Sequence, residues 1–207
     1  MKFYDPLART TVYQNNLTHW EQDHATYFIT FRLADSIPAE AIQKLSIKRE
    51  TWLLANPRPW TDELEMEFHK RFSHKLDEWM DLGHGECLLR RSELREPLAE
   101  IFLSDHGKAY QMMSFVIMPN HVHLLASLID MTLPEVMRKW KGSSARAINQ
   151  LADRTGTLWQ KDYFDRLIRD PKHLFRVTRY IQNNPTKAKL PEGHFTLWPQ
   201  GEATSVA

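Results

Sequence analysis

The chain has 207 residues, of which 42% are hydrophobic, 26% charged and 11% aromatic, a composition that suits one globular domain able to bury its own core. Its apolar runs, such as Phe115 to Met118 and that at Leu124 and Leu125, fall far short of the roughly 20 residues a bilayer demands, and the lone Cys87 excludes an internal disulfide. Net charge is +1, yet residues 138–189 hold 13 of the 27 Lys and Arg and only 4 of the 26 Asp and Glu, so a segment of +9 sits in a remainder of −8. Such segregation is expected of a surface that meets polyphosphate, with a solvated helix face as the plain alternative. The N-terminus, MKFYDPLARTT, shows no apolar secretory core, which makes an intracellular location the expectation.

Residues 26–33 are β-branched and aromatic with rough alternation, the pattern of a first strand. Ser36, Pro38 and Glu40 supply helix-start chemistry for a helix to about Ala55, which Asn56-Pro57-Arg58-Pro59 breaks. From Asp62 to Leu82, Leu64, Phe68, Phe72, Leu76, Trp79 and Met80 recur at helical spacing, and a short helix follows from Ser92 to about Leu103. Residues 109–118 and 121–129 read as two strands joined at Pro119-Asn120, a hairpin. An amphipathic helix runs from Thr132 to about Asp153, and 164–168 form a short last strand. Asp170 as N-cap with Pro171 behind it starts a final helix that Asn184-Pro185 is expected to stop.

That order predicts an α+β fold, a ferredoxin-like sandwich of mostly antiparallel sheet with helices on one face. The expected organisation is a single domain over 1–207, with a helical insertion at about 36–105, between the first two strands, and a loosely ordered tail from about 192.

Two patterns carry chemistry. His121 and His123 are two apart in a strand, so both imidazoles leave the same face within reach of one metal ion; two half-buried structural histidines are the competing explanation. In the final helix Tyr180 and Asn184 are i and i+4, which stacks a phenol and a carboxamide on one helix face. A core tyrosine and an asparagine chosen to precede proline are the plain readings there.

These residues resemble a known family. Met118-Pro-Asn-His-Val-His-Leu-Leu125 resembles the metal motif of the HUH single-strand endonucleases. Tyr180-Ile-Gln-Asn-Asn-Pro-Thr-Lys-Ala-Lys-Leu190, with the linking segment Leu158 to Asp170, is similar to the tyrosine helix of the REP-associated tyrosine transposases, relatives of single-tyrosine insertion-sequence transposases. The resemblance covers roughly residues 110–190. It implies Tyr180 as nucleophile, with His121, His123 and Asn184 as ligands of Mg²⁺ or Mn²⁺, although imidazoles by themselves suit Zn²⁺. Tyr163 is the competing nucleophile. Relatives often have a glycine near Lys189.

The implied reaction is cleavage and rejoining of single-stranded DNA at repeat hairpins through a 5′-phosphotyrosine, in the cytoplasm at the nucleoid, by a monomer or homodimer. Arg138, Lys139, Lys141, Arg146, Lys161, Arg166 and Arg169 are the expected DNA-binding residues, and Trp140 and Trp159 are candidate stacking platforms. The alternatives are a hairpin-binding regulator without catalysis and a metal-dependent hydrolase with no covalent step. For a histidine-triad hydrolase the missing third histidine, Leu at position 125, counts against it.

Overall fold

Alternation in the two longest apolar stretches decides the architecture, because side chains two apart share a sheet face. In the computed structural model, which describes residues 1–15, 17–57 and 60–199, β3 (Thr26–Arg32), β4 (Tyr110–Ile117) and β5 (His121–Leu128) are the heart of a five-stranded antiparallel sheet. Its order is β6-β3-β5-β4-β7, with β6 at Phe164–Leu167 and β7 at Thr196–Trp198. Leaving β7 aside, the strands lie in chain order 4-1-3-2, the arrangement of a ferredoxin-like sandwich. The expected fold class is present.

Tyr27, Ile29, Phe31, Val122, Leu124 and Ala126 point to one face, where α4 (Ser92–Leu103) and α5 (Leu133–Leu151) close the main core with Leu94, Leu98, Phe102, Val136, Met137 and Trp140. Burying each of these side chains contributes on the order of 1.5–3 kcal/mol. Thr132 and Glu135 form a capping box at the start of α5. The opposite face carries Val116, Met118 and Leu125, and α6 (Pro171–Lys187) covers it with Val177 and Ile181.

The helices therefore lie on both faces, not on one. The reason is connectivity: α4 and α5 belong to the two crossovers of the sandwich, whereas α6 follows the edge strand β6 and is free to return over the other side. α6 also runs past the expected stop. Pro185 lies in its last turn, where Ala188 N–H still reaches the Asn184 carbonyl at 3.0 Å, and the chain leaves through Lys189 at φ 53°. A left-handed conformation there explains why a glycine suits that position.

The insertion lies between β3 and β4. It holds α1 (Ala39–Ala55) and α2 (Asp62–Phe68), the latter passing through a π-helical segment, His69–Ser73, into α3 (His74–Asp81). Leu64, Phe68, Phe72 and Leu76 are spaced by four throughout, more than the 3.6 of an α-helix, and a wider turn absorbs the excess. Trp52 of α1 then gathers Trp60, Phe68 and Phe72 at 5.1, 5.4 and 6.1 Å in an aromatic cluster of its own.

Two elements go beyond the sequence reading. Thr11–Gln14 (β1) and Thr18–Glu21 (β2) form a separate antiparallel hairpin ahead of the sheet. Residues of the expected loose tail are held instead, since β7 pairs with β4 and the buried Arg95 guanidinium donates to the Gly193 carbonyl at 2.6 Å and to the Thr196 hydroxyl at 3.0 Å. Arg58 and Pro59 of the expected helix break and residues 200–207 of the tail lie outside the described residues. Among the described residues no helix is long and apolar enough to cross a membrane.

Candidate active site

His121 and His123 both point to the α6 face of the sheet and are fully buried, their ring centroids 4.8 Å apart. α6 brings the i, i+4 pair against them. The Tyr180 hydroxyl lies 3.4 Å from His123 Nε2, and Asn184, one turn on, is buried. Phe28 of β3 stacks on His123 at 5.6 Å and meets Tyr180 edge-on at 5.8 Å, so both rings have a fixed wall.

The Nδ1 atoms of both histidines are held. His121 Nδ1 is 2.8 Å from Asn120 Oδ1, while Asn120 Nδ2 donates to the carbonyls of Met80 and His84 at 3.1 and 3.3 Å. An amide whose nitrogen is committed to carbonyls presents its oxygen to the ring, so His121 carries its proton on Nδ1 and keeps a lone pair on Nε2. His123 Nδ1 lies 2.7 Å from the Thr30 hydroxyl. Burial lowers the His121 pKa to about 3 and takes His123 well below its ordinary value, helped by charge at Lys187 and, for His123, by His121. Both rings are neutral at pH 7, as metal ligands must be.

Among the described residues, the buried side-chain atoms without a hydrogen-bond partner are His121 Nε2, Asn184 Oδ1 and Nδ2, Asp81 Oδ1 and Asn149 Oδ1. Only Asn149 lies outside this constellation. Each such atom costs about 1–3 kcal/mol, and their concentration in one place fits a cation-binding site. The set of two imidazole nitrogens and one carboxamide oxygen suits a divalent ion. No cluster of three or more His, Cys, Asp or Glu side chains placed to hold a metal exists among the described residues; Asn184 could add a third donor to the two histidines.

The insertion reaches this site, which the sequence reading did not anticipate. α3 brings Asp77 and Asp81, themselves i and i+4, over the tyrosine. Burial raises the Asp77 carboxyl to about 6, against the opposing pull of its hydrogen bond to Tyr180 and of Lys187. Burial, followed by the charges of Asp77 and Asp81, pushes the Tyr180 phenol well above its ordinary value. Lys187 Nζ pairs with Asp81 Oδ2 at 3.0 Å. The signal available in the sequence was two acids four apart in a helix whose Met80 is apolar and buried.

The expected DNA-binding residues divide by face. Arg166 stands opposite Phe28 in register and so belongs to the site face. Arg169 lies just ahead of α6, where Arg166, Arg176 and Arg169 together, after burial, lower the His173 pKa to about 4. Lys161 is exposed in the loop before β6.

Arg138, Lys139, Lys141 and Arg146 belong to α5, which packs on the opposite face of the sheet, so they do not line this site. Lys139 pairs with Asp105, and Lys141 Nζ donates to the carbonyls of Gln160 and Lys161 at 2.8 and 2.7 Å.

Trp140 and Trp159 are no stacking platforms. Both are core residues, with Nε1 donating to the Tyr110 and Ser144 hydroxyls at 2.9 Å each. Tyr163 is buried on the α5 side, its hydroxyl 2.8 Å from that of Tyr13, and cannot serve the two histidines through the sheet.

Residues 89–184 match the family model described as Transposase IS200 like. A Haemophilus influenzae protein without an assigned function is 30% identical, with 34% of this chain and 52% of that protein covered, so the chain spans about half the length of the curated relative it matches. Among solved structures, a REP-associated tyrosine transposase bound to a REP hairpin is 16% identical, covering 84% of this chain and 74% of that one with a TM-score of 0.46. A transposase assignment also attaches to a Deinococcus radiodurans R1 structure, 15% identical, covering 89% of this chain and 98% of that one with a TM-score of 0.37. Residues 89–184, which run from the turn before α4 to Asn184 and make up a little under half of the chain, are similar to the IS200-like transposases.

Proposed function

We propose that this protein cleaves and rejoins single-stranded DNA at the hairpins of repeat elements, with Tyr180 as nucleophile, in the manner of a REP-associated tyrosine transposase. One observation carries the reading: the Tyr180 hydroxyl lies 3.4 Å from His123 Nε2, beside the orphaned His121 Nε2 and Asn184 carboxamide.

His121, His123 and Asn184 would hold a divalent cation, Mg²⁺ or Mn²⁺. When bound, that ion supplies positive charge against the scissile phosphate and lowers the pKa of the phenol. The chain's own groups do the rest. Asn120 and Thr30 fix the two imidazoles through Nδ1, the outer contacts on which ligand orientation depends. Phe28 limits the swing of the tyrosine ring. Asp77, which hydrogen-bonds the phenol, is placed to accept its proton.

The Tyr180 oxygen attacks the phosphorus, the bond to the 3′ oxygen breaks, and that oxygen leaves as a 3′-hydroxyl after taking up a proton. The 5′-phosphotyrosine keeps the energy of the phosphodiester, so the 3′-hydroxyl of the same or another strand can reverse the step without ATP.

One observation favours the second reading, a hairpin-binding regulator without turnover. The Tyr180 phenol rests beneath α3, with burial and two acids holding its proton on. The test is incubation of the full chain with Mn²⁺ or Mg²⁺ and single-stranded repeat hairpins, beside Tyr180→Phe and Tyr163→Phe, on denaturing gels. A protein-linked band abolished only in Tyr180→Phe is the expected result. Hairpin binding with no covalent band in the wild type would establish the regulator.

A further inference from the structure

Lys187 lies three residues after Asn184 in α6, on the helix face that carries Tyr180 and Asn184. Its charge bears on both buried histidines and on Asp77 and Asp81, yet neither core employs it. Half exposed, it is held by one carboxylate oxygen, Asp81 Oδ2 at 3.0 Å, while Asp81 Oδ1 is buried with no hydrogen-bond partner among the described residues. That arrangement is costly for the carboxylate, which keeps one oxygen desolvated and unpaired.

The same contact closes the site. His121 and His123 are fully buried, and His121 Nε2 and the Asn184 carboxamide are out of reach of solvent. A phosphodiester therefore meets the Tyr180 hydroxyl beside them only if a covering element gives way. α6 and β5 are bound together through Val177, Ile181 and Leu125. α3 is not: among the described residues none of its side chains belongs to either hydrophobic core of the sheet. Polar contacts hold it instead, Asp77 to the phenol, Asp81 to Lys187, and the Met80 carbonyl to Asn120 Nδ2 at 3.1 Å. A segment with few buried apolar contacts opens at the lowest cost. The last turn of α3 also ends in the open, since Leu82, the next residue, is 68% exposed and the chain turns away at Gly83 with φ 69°.

We propose that the last turn of α3 is an acidic lid, in which Asp81 holds Lys187 in place of a phosphate of the incoming single strand, and that the strand enters by exchanging that carboxylate for its own phosphate. Lys187 is thereby a phosphate contact for the strand at the cut, and the insertion sets when the site is open. Asp77, one turn nearer the π-helical segment, stays with the phenol. Asn120 keeps its bond to the His84 carbonyl at 3.3 Å, so the opening leaves His121 oriented. The proposal rests on the single-strand reading above.

Hydrogen exchange and equilibrium binding of a labelled dT octamer, both on the full chain in EDTA, separate the lid from cleavage. The amides to follow are Leu82, bonded to the Glu78 carbonyl at 3.2 Å, and Gly83, bonded to the Met80 carbonyl at 3.1 Å. Asp81→Asn, which keeps the shape and removes the charge, should speed their exchange about fivefold and tighten octamer binding by as much, the size of one half-exposed ion pair. The amides of β3 and β5 should not change. Lys187→Gln should speed the same amides equally but weaken the octamer and lower the salt slope by about one. A merely structural ion pair would not give equal exchange with opposite changes in affinity. Glu78→Gln, the same charge change on α3 at a residue that pairs with Lys75, should move neither readout. Unchanged exchange at Leu82 and Gly83 in Asp81→Asn overturns the lid, and tighter binding in Lys187→Gln overturns the phosphate contact. An equal gain in Glu78→Gln reduces the effect to bulk charge and overturns both. If α3 responds as expected but hairpins give no covalent band, the cleavage reading fails and the lid stands; if α3 does not respond and the band forms through Tyr180, the lid is wrong and the function stands.

Discussion

The histidine pair on one face of the five-stranded sheet and the buried His19 of the separate β1–β2 hairpin, which meets the other face at Asp165, are treated in opposite ways. His121 and His123 each have Nδ1 held by a neutral oxygen, and their pKa values are driven down by burial. His19, in β2, is as deeply buried, but Nε2 meets Asp162 Oδ1 at 3.0 Å and Nδ1 meets Asp165. Burial opposes its charge, and the two carboxylates overcome burial to raise its pKa to about 9. Tyr13 and Tyr163 flank the ring at 4.9 and 4.5 Å.

One group is a pair of neutral lone pairs in waiting; the other is a closed ion triad that fastens the β1–β2 hairpin to β6. Burial alone therefore does not mark a metal ligand. What sets the first pair apart is that His121 Nε2 has no hydrogen-bond partner among the described residues once its Nδ1 is fixed, while His123 Nε2 meets the Tyr180 hydroxyl at 3.4 Å.

The largest effect that would sharpen this contrast is on stability. His19→Ala leaves Asp162 and Asp165 buried without their cation, so unfolding should become easier by about 3–5 kcal/mol, read as a lower chemical-denaturation midpoint. An equal loss from His121→Ala in metal-free protein would erase the distinction.

Next in size is Asn120→Ala, which frees the His121 ring without removing a ligand. Mn²⁺ affinity by calorimetry should fall about 10–100-fold, whereas the same titration of His19→Gln should match the wild type. A normal affinity in Asn120→Ala would mean that the tautomer is not set there.

The smallest effect is a pH dependence. The folded pKa of His19 is raised, so the stability it contributes is complete below the unfolded value near 6.5 and is lost as pH rises through about 9. The melting temperature should decline over that window in the wild type and in Tyr180→Phe, and the decline should be absent in His19→Gln. A flat profile in the wild type would show that the triad does not carry a proton.

Much of this was legible in the amino-acid order. The alternation of 26–33, 110–118 and 121–129, the Asp170-Pro171 start of α6 and the capping chemistry at Thr132 are local signals, and the strands and helices follow them closely. The His-x-His and Tyr-x-x-x-Asn spacings are local as well, because a strand repeats every two residues and a helix every 3.6. The hairpin of β1 and β2 had a signal in Val12, Tyr13 and Trp20 around Asn15, short enough to pass for a loop. β7 had a short one in Phe195, Thr196 and Trp198, and its three residues pair with the edge that β4 offers.

What the chain order by itself determined, then, is each element and the pairing of residues within it. Which side of the sheet each element covers was decided only by tertiary structure, because a single crossover connection permits α6 either face and only the packing of Val177 and Ile181 on Val116, Met118 and Leu125 selects one. That choice brings Tyr180 to His123 and strands the basic residues of α5 on the far side. It also brings Asp77 and Asp81 over the phenol from about a hundred residues upstream. Contacts at that separation rest on shape and burial, which no spacing along the chain encodes.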